Sequence, residues 1–230
     1  IPSSDQTAME SVANNIYTYT YRSPIAQVGS TTYYSLKDAI AAVTVMGTVK
    51  VLQDTTLDNI TNINNGVDLT IDLNGKTVSA TGAQNVFTLS GTESAAVSLT
   101  IKDSVGGGKI DASGKTGGNT IVAVRDYATF NLEGGKLTGK TGSAGGPAVR
   151  LEKATSEFNM SGGSITGNTY TGTNSAVGAK SVYITAGAVF NMSGGSITDN
   201  AAPNSTAIGS ILIRDGGSVV FSGTAKFDDD

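Results

Sequence analysis

The sequence predicts an all-β fold, a right-handed three-stranded parallel β-helix (solenoid) with an N-terminal helical cap, on three observations. First, FNMSGGSITGN at Phe158 to Asn168 returns as FNMSGGSITDN at Phe190 to Asn200; a looser copy, FNLEGGKLTGK, runs from Phe130 to Lys140, and a degenerate one, VVFSGTAKF, from Val219 to Phe227. The copies start 28, 32 and 29 residues apart, which describes one structural unit with loops of variable length. Second, apolar residues two apart, as in Phe158-Asn159-Met160, share one face of a strand, and a second short alternation follows at Ser164-Ile165-Thr166. Third, a glycine pair separates the two alternations, and the excess among the 30 glycines falls in such corners, where they supply backbone angles closed to other residues. Strands bent at glycine corners do not fit the 3.6-residue period of a helix.

Taken in order, residues 1 to 46 read as a lead-in and capping helix, and residues 47 to 230 as a β-helix of six or seven turns, all one structural domain. IYTYTYR at Ile16 to Arg22 alternates like a strand that Pro24 ends. AQVGSTTYYSLKDAIAAV then predicts a hairpin around Gly29-Ser30 and a helix from Ser35 to Val45. Ser35 is placed as its N-cap, Asp38 stands where a capping-box acid belongs, and Leu36, Ala39, Ile40 and Val43 form its apolar stripe. A stacked solenoid needs its open end covered, which assigns this helix the role of cap.

From Val49 the turns align. Their first strands place Leu69, Leu99, Phe130, Phe158, Phe190 and Val219 in one inward column, and Ile71, Ile101, Leu132, Met160, Met192 and Phe221 in the next. Second strands supply Val78, Ile110, Leu137, Ile165, Ile197 and Phe227; third strands supply Phe87, Val122, Val149, Val182 and Ile211. Every column is apolar, so turns stacked about 4.8 Å apart enclose a continuous dry core, and parallel crossovers give it a right hand. Between them Thr70, Thr100, Asn131, Asn159 and Asn191 form an outward ladder, and Asp72, Lys102 and Glu133 alternate in sign beside it. Both columns read as structural.

The two SITGN/SITDN copies, LTIDLNGKTVSA, LTIKDSVGGGKI and the lead-in AQVGSTTYYSLKDAIAAV together resemble the right-handed parallel β-helix regions of large adhesin-like surface proteins of gut Firmicutes and related bacteria, over residues 26 to 230. The resemblance implies a non-catalytic, extracellular module at the bacterial cell surface that mediates or projects attachment to a host glycan or extracellular matrix ligand. Its motifs are corners and core positions, so they speak to fold and setting more than to a ligand. KFDDD is an abrupt end for a solenoid, and a longer parent protein is expected.

Composition narrows the chemistry. Fifteen basic and 19 acidic residues, net charge -4, are scattered without the basic stripe that nucleic acid or an anionic membrane requires. No apolar run approaches the ~18 residues of a membrane span, so no membrane insertion is expected. Without cysteine or histidine there is no disulfide, thiolate metal site or imidazole base; no cofactor or metal is expected, and the chain is expected to act as a monomer. Gly134 to Thr141 satisfies the G-x-x-x-x-G-K-T pattern of a phosphate-binding loop, but GSAGGPAVR after it cannot start the required helix, and Leu137 is a core position. GGGKID at Gly106 occurs once and cannot build a calcium cage alone. The sequons at Asn59, Asn159 and Asn191 carry no weight in a bacterial protein, and Lys109, Asp111 and Lys136 interrupt the hydroxyl array that an ice-binding face would need.

Parallel β-helices also host polysaccharide lyases and glycosidases, the rival reading. Asp126 and Glu152 are the candidate carboxylates, but Arg125 and Arg150 alternate with them, which neutralises them as ion pairs rather than raising one pKa for acid work. No catalytic residue is assigned. The loops at Gly114 to Asn119, Lys140 to Gly146, Asn168 to Lys180 and Asn200 to Gly209 vary most in length and line up along one edge. They carry Tyr170, beside an outward column of Arg150 and Tyr183, with Arg125 and Glu152 one step on. Tyrosine flanked by arginine and a carboxylate can stack on a sugar or peptide and fix it by charge-assisted bonds, which makes these five the candidate ligand-binding residues. A purely structural stalk is the third reading.

Overall fold

In a computed structural model the chain is described over residues 7–13, 16–58, 60–117, 120–143, 146–174, 178–205 and 208–227. The sequon residue Asn59, the tips of the four variable loops and the final DDD lie outside the described residues. The fold is an all-β parallel β-solenoid with almost no helix.

Its walls are three stacked parallel sheets. The first holds Met46–Val51, Asp68–Asp72, Val97–Lys102, Ala128–Leu132, Ser156–Met160, Val189–Met192 and Ser218–Phe221. The second runs from Thr55–Leu57 through Thr77–Gly82, Lys109–Lys115, Lys136–Thr138, Ser164–Thr166 and Ser196–Thr198 to Lys226–Phe227. The third holds Thr61–Ile63, Phe87–Leu89, Val122–Val124, Val149–Leu151, Val182–Ile184 and Ile211–Ile213. About five full turns close between Asp68 and Ile213. Before them Met46 to Ile63 adds one strand to each of the three sheets, and after them the last two strands add a part-turn, against the six or seven turns expected.

Each inward column pairs in the register that the sequence alignment predicts. Leu69, Leu99, Phe130, Phe158 and Phe190 stand one above the other, all fully buried. The rings of Phe130 and Phe158 stack with centroids 5.0 Å apart, and those of Phe158 and Phe190 at 4.5 Å. The second- and third-sheet columns are equally in register. Phe221 is the exception: although it continues the Met160–Met192 column, it is 54% exposed, since no described strand lies above it.

The glycine corner works by two different means. Gly163 has a φ of 69°, in the left-handed region, whereas Gly162 does not; a Cβ on Gly162 would instead lie 2.2 Å from the Glu133 carbonyl oxygen of the turn below. Close approach between turns, not backbone angle, is what keeps residue 162 a glycine.

At the other end Ala26–Val28 pairs antiparallel with Thr31–Tyr33 around Gly29, as expected, and joins the first sheet through Met46–Val51. The helix spans Leu36–Ala41, and the Ser35 hydroxyl accepts the Asp38 N–H at 3.3 Å. It ends four residues before the predicted Val45, because Val43, Thr44 and Val45 are all β-branched and lose side-chain freedom in a helix. Leu36, Ala39 and Ile40 are buried, and Val43, outside the helix, completes the apolar stripe. Ile16–Arg22 is a strand as predicted; its antiparallel partner Thr7–Ala13 was not foreseen. No helix among the described residues is long and apolar enough to cross a membrane.

Candidate functional site

Four of the five candidate residues come together on the outside of the third sheet. Arg150 and Tyr183 occupy the same outward position in successive strands. Arg125 and Glu152 each follow a third-sheet strand and are held by the strand below, through Arg125 N–H to Leu89 O and Glu152 N–H to Val124 O, both 3.0 Å. Glu152 then sits between two guanidinium groups: its Oε2 is 2.7 Å from Arg125 Nε and its Oε1 3.2 Å from Arg150 Nε. The first contact is an aligned hydrogen bond. The second is an ion pair whose N–H is not aligned for one, which leaves Arg150 Nε buried with no hydrogen-bond acceptor. The Arg150 side chain is 37% exposed and that of Arg125 44%, so each pair contributes only about 0.2 to 1 kcal/mol to stability. Two cations on one carboxylate leave the group net positive.

The aromatic half of the expectation is revised. Tyr183 is only 7% exposed, and the Arg150 guanidinium lies over its ring, 5.2 Å from the centroid. Its π face is taken by a cation–π contact and is closed to a sugar. Tyr170 is not part of the group: it is 2% exposed, its hydroxyl donates to Asn174 O at 3.3 Å, and a Cβ on Gly172 or Gly178 would strike its ring. It fills the interior of its own loop. The strand Thr169–Tyr170 pairs with Thr141–Gly142, a further parallel strip where the sequence predicts only loop.

That strip rests on an interior polar ladder which sequence reasoning missed. Asn168 is fully buried; its Nδ2 donates to Leu137 O, Thr166 O and Asn200 Oδ1, and its Oδ1 accepts the Lys140 N–H. Asn200, one turn up, donates to Ile165 O and Thr198 O. Each amide thus satisfies its own strand end and a carbonyl of the turn below. Lys140 holds the equivalent place in the turn beneath Asn168, is 1% exposed, and its Nζ has no hydrogen-bond partner among the described residues. Burial, aided by the charge of Lys115, lowers its pKa to about 8. The clue was present in the repeat: KLTGK, SITGN and SITDN end at this one position.

Other polar groups are occupied structurally. The outward ladder is hydrogen-bonded from Asn191 to Asn159 to Asn131 to Thr100, at 2.9, 3.1 and 3.2 Å. Burial alone would raise the Asp72 carboxyl, but N–H donors from Ser104 and Asn74, with a weaker attraction from Lys102, outweigh it and hold it below its usual range. Asp103, before the GGGKID segment, accepts the N–H groups of Gly75 and Gly108, each at 2.7 Å. In the apparent phosphate-binding loop Leu137 is fully buried and a strand, Thr141–Gly142, follows where a helix would be needed. Among the described residues no group of three or more acidic side chains is placed to hold a metal ion. Comparison with protein-family models, with curated proteins and with solved structures finds no match to this chain.

Proposed function

We propose that the chain is a non-catalytic, extracellular adhesin-like module of a bacterial surface protein. In this reading it is a monomeric, right-handed β-helix of three strands per turn, closed at its N-terminal end by the helix Leu36–Ala41. It presents Arg125, Glu152 and Arg150 to an acidic host glycan or matrix ligand. The observation that carries the binding role is the arrangement of two partly exposed guanidinium groups around a single carboxylate on a rigid ladder of strands. Such a group holds residual positive charge in fixed geometry, which suits a carboxylate or sulfate on a sugar chain. The same pairing disfavours the carbohydrate-active enzyme, whose acid would need a carboxyl kept protonated rather than flanked by cations.

The test is binding of the purified protein to immobilised acidic and neutral glycans, alongside the double variant Arg125→Ser, Arg150→Ser. Retention of acidic glycans by the parent, reduced at least tenfold in the variant, is the expected result. Equal retention by both proteins overturns the site. Retention by neither makes the module a stalk, and release of shortened glycans makes it an enzyme.

A further inference from the structure

We propose that Lys140 is a carbamate-forming lysine: its buried Nζ takes up carbon dioxide within the solenoid, and Lys115 pairs with the carbamate so formed. The inference starts from a position at which the fold prefers an amide. Asn168 and Asn200 fill the corresponding places in the two turns above and satisfy strand-end carbonyls there, yet the turn below carries a lysine whose ammonium group reaches no acceptor among the described residues. Nor does the neighbouring strand Lys109–Lys115 supply one. Its carboxylate, Asp111, is already held by Lys109 Nζ at 2.8 Å and by the Ser113 N–H at 3.0 Å. The charged group that acts on Lys140 is Lys115, whose own Nζ donates to Gln84 O. Lys115 thus adds repulsion to the cost of burying the Lys140 ammonium, and neither amine forms an ion pair with a described residue, a conflict with the hydrogen bonding of the amides above.

Carbon dioxide resolves the conflict in one step. The lone pair of neutral Nζ attacks the carbon, an N–C bond forms as one C–O π pair moves onto oxygen, and the displaced N–H proton passes to water or bicarbonate. The product is a lysine carbamate of charge -1, and repulsion by Lys115 becomes attraction. A small uncharged molecule reaches such a site without the desolvation cost that a free anion would carry. The depressed pKa supports the step, since it keeps an appreciable share of the amine neutral close to pH 8.

The experiment is carbon-13 NMR of the intact protein equilibrated with labelled bicarbonate at pH 8, for the parent, Lys140→Asn and Lys115→Met, with Lys140→Met replacing the first variant should it fail to fold. A carbamate carbonyl resonance is expected in the parent, absent from the Lys140 variant and about tenfold weaker in Lys115→Met, the loss of one charge-assisted partner. A resonance from the chain's α-amino group would survive in the Lys140 variant and is separated by that comparison. Absence of any resonance that the Lys140 substitution removes overturns the proposal, and equal intensity in Lys115→Met overturns the pairing.

Discussion

Lys140 makes this protein more stable in moderate alkali than at neutrality, and the sign follows from linkage. Its amine titrates at 10.5 when free and at about 8 in the fold. Below pH 8 both states are protonated and the cost of the buried charge is present in full. Between 8 and 10.5 the unfolded chain binds more protons than the folded one, so stability climbs with pH. At 1.36 kcal/mol per unit the whole rise is about 3 kcal/mol, and about 2 kcal/mol of it appears by pH 9.5, before free tyrosines titrate. Lys140 is 1% exposed, so solvent screening does not erode the figure, and burial of Lys115 shifts that amine in the same direction. Replacing Lys140 by asparagine extends the interior ladder by one rung. It removes the buried charge, gives the new amide the kind of carbonyl acceptors that Asn168 has, and leaves a smaller side chain in the space of the lysine stem. The net gain is about 2 to 3 kcal/mol at pH 7, or about 5 to 10 °C in Tm for a chain of this size. Thermal and urea unfolding in carbon dioxide-free buffer at pH 7, 8, 9 and 9.5 measures both effects. A parent whose stability is flat or falling from pH 8 to 9.5, or a Lys140→Asn variant less stable than the parent at pH 7, refutes the reasoning.

Three further substitutions test the stack by urea unfolding. Phe158→Asp places an unpaired carboxylate between two stacked rings and is expected to prevent folding, while Phe158→Ala costs about 3 to 5 kcal/mol; parent-like stability of either removes the column from the core. Gly162→Val costs about 1 to 3 kcal/mol by collision with the Glu133 carbonyl, and Gly162→Ala, whose single Cβ meets the same oxygen, is destabilising too; a neutral Gly162→Ala would refute the close approach. Asn168→Ala strips donors from Leu137 O and Thr166 O and the acceptor from the Lys140 N–H, at a cost of about 2 to 3 kcal/mol; a neutral result would show the interior ladder to be incidental.

The inward columns were legible because a parallel stack repeats one demand at every turn. Phe158 lies between Phe130 of the turn below and Phe190 of the turn above, so its environment is dictated by identical neighbours, and alternation within a strand fixes its face. What alternation cannot convey is the fate of the opposite face. Tyr183 shares its strand position with Arg150, but whether its ring is open depends on where the Arg150 side chain of the adjacent turn lies. Tyr170 is hidden for a related reason: the polar segment after Asn168 predicts a solvent-facing loop, but Gly172 and Gly178 pack against the tyrosine ring, where any Cβ would strike it.

The polar interior leaves a pattern in the sequence, but one whose residues have a second, commoner meaning. Asparagine at the end of SITGN looks like turn vocabulary, and its side chain gives no sign of being buried until the strand-end carbonyls that need donors are located in space. Lysine at the same place in KLTGK looks like part of a phosphate-binding pattern or a solvated corner. Stacking changes both meanings, because in a solenoid the residue at a corner is judged by what its turn must supply to the turns on either side. An asparagine there can both give and take; a lysine can only give, and in this turn its Nζ finds no acceptor among the described residues. The misfit between Lys140 and the ladder therefore requires three pieces of information at once, namely the repeat alignment, the carbonyl positions and the nearness of Lys115, of which only the first is written in the sequence.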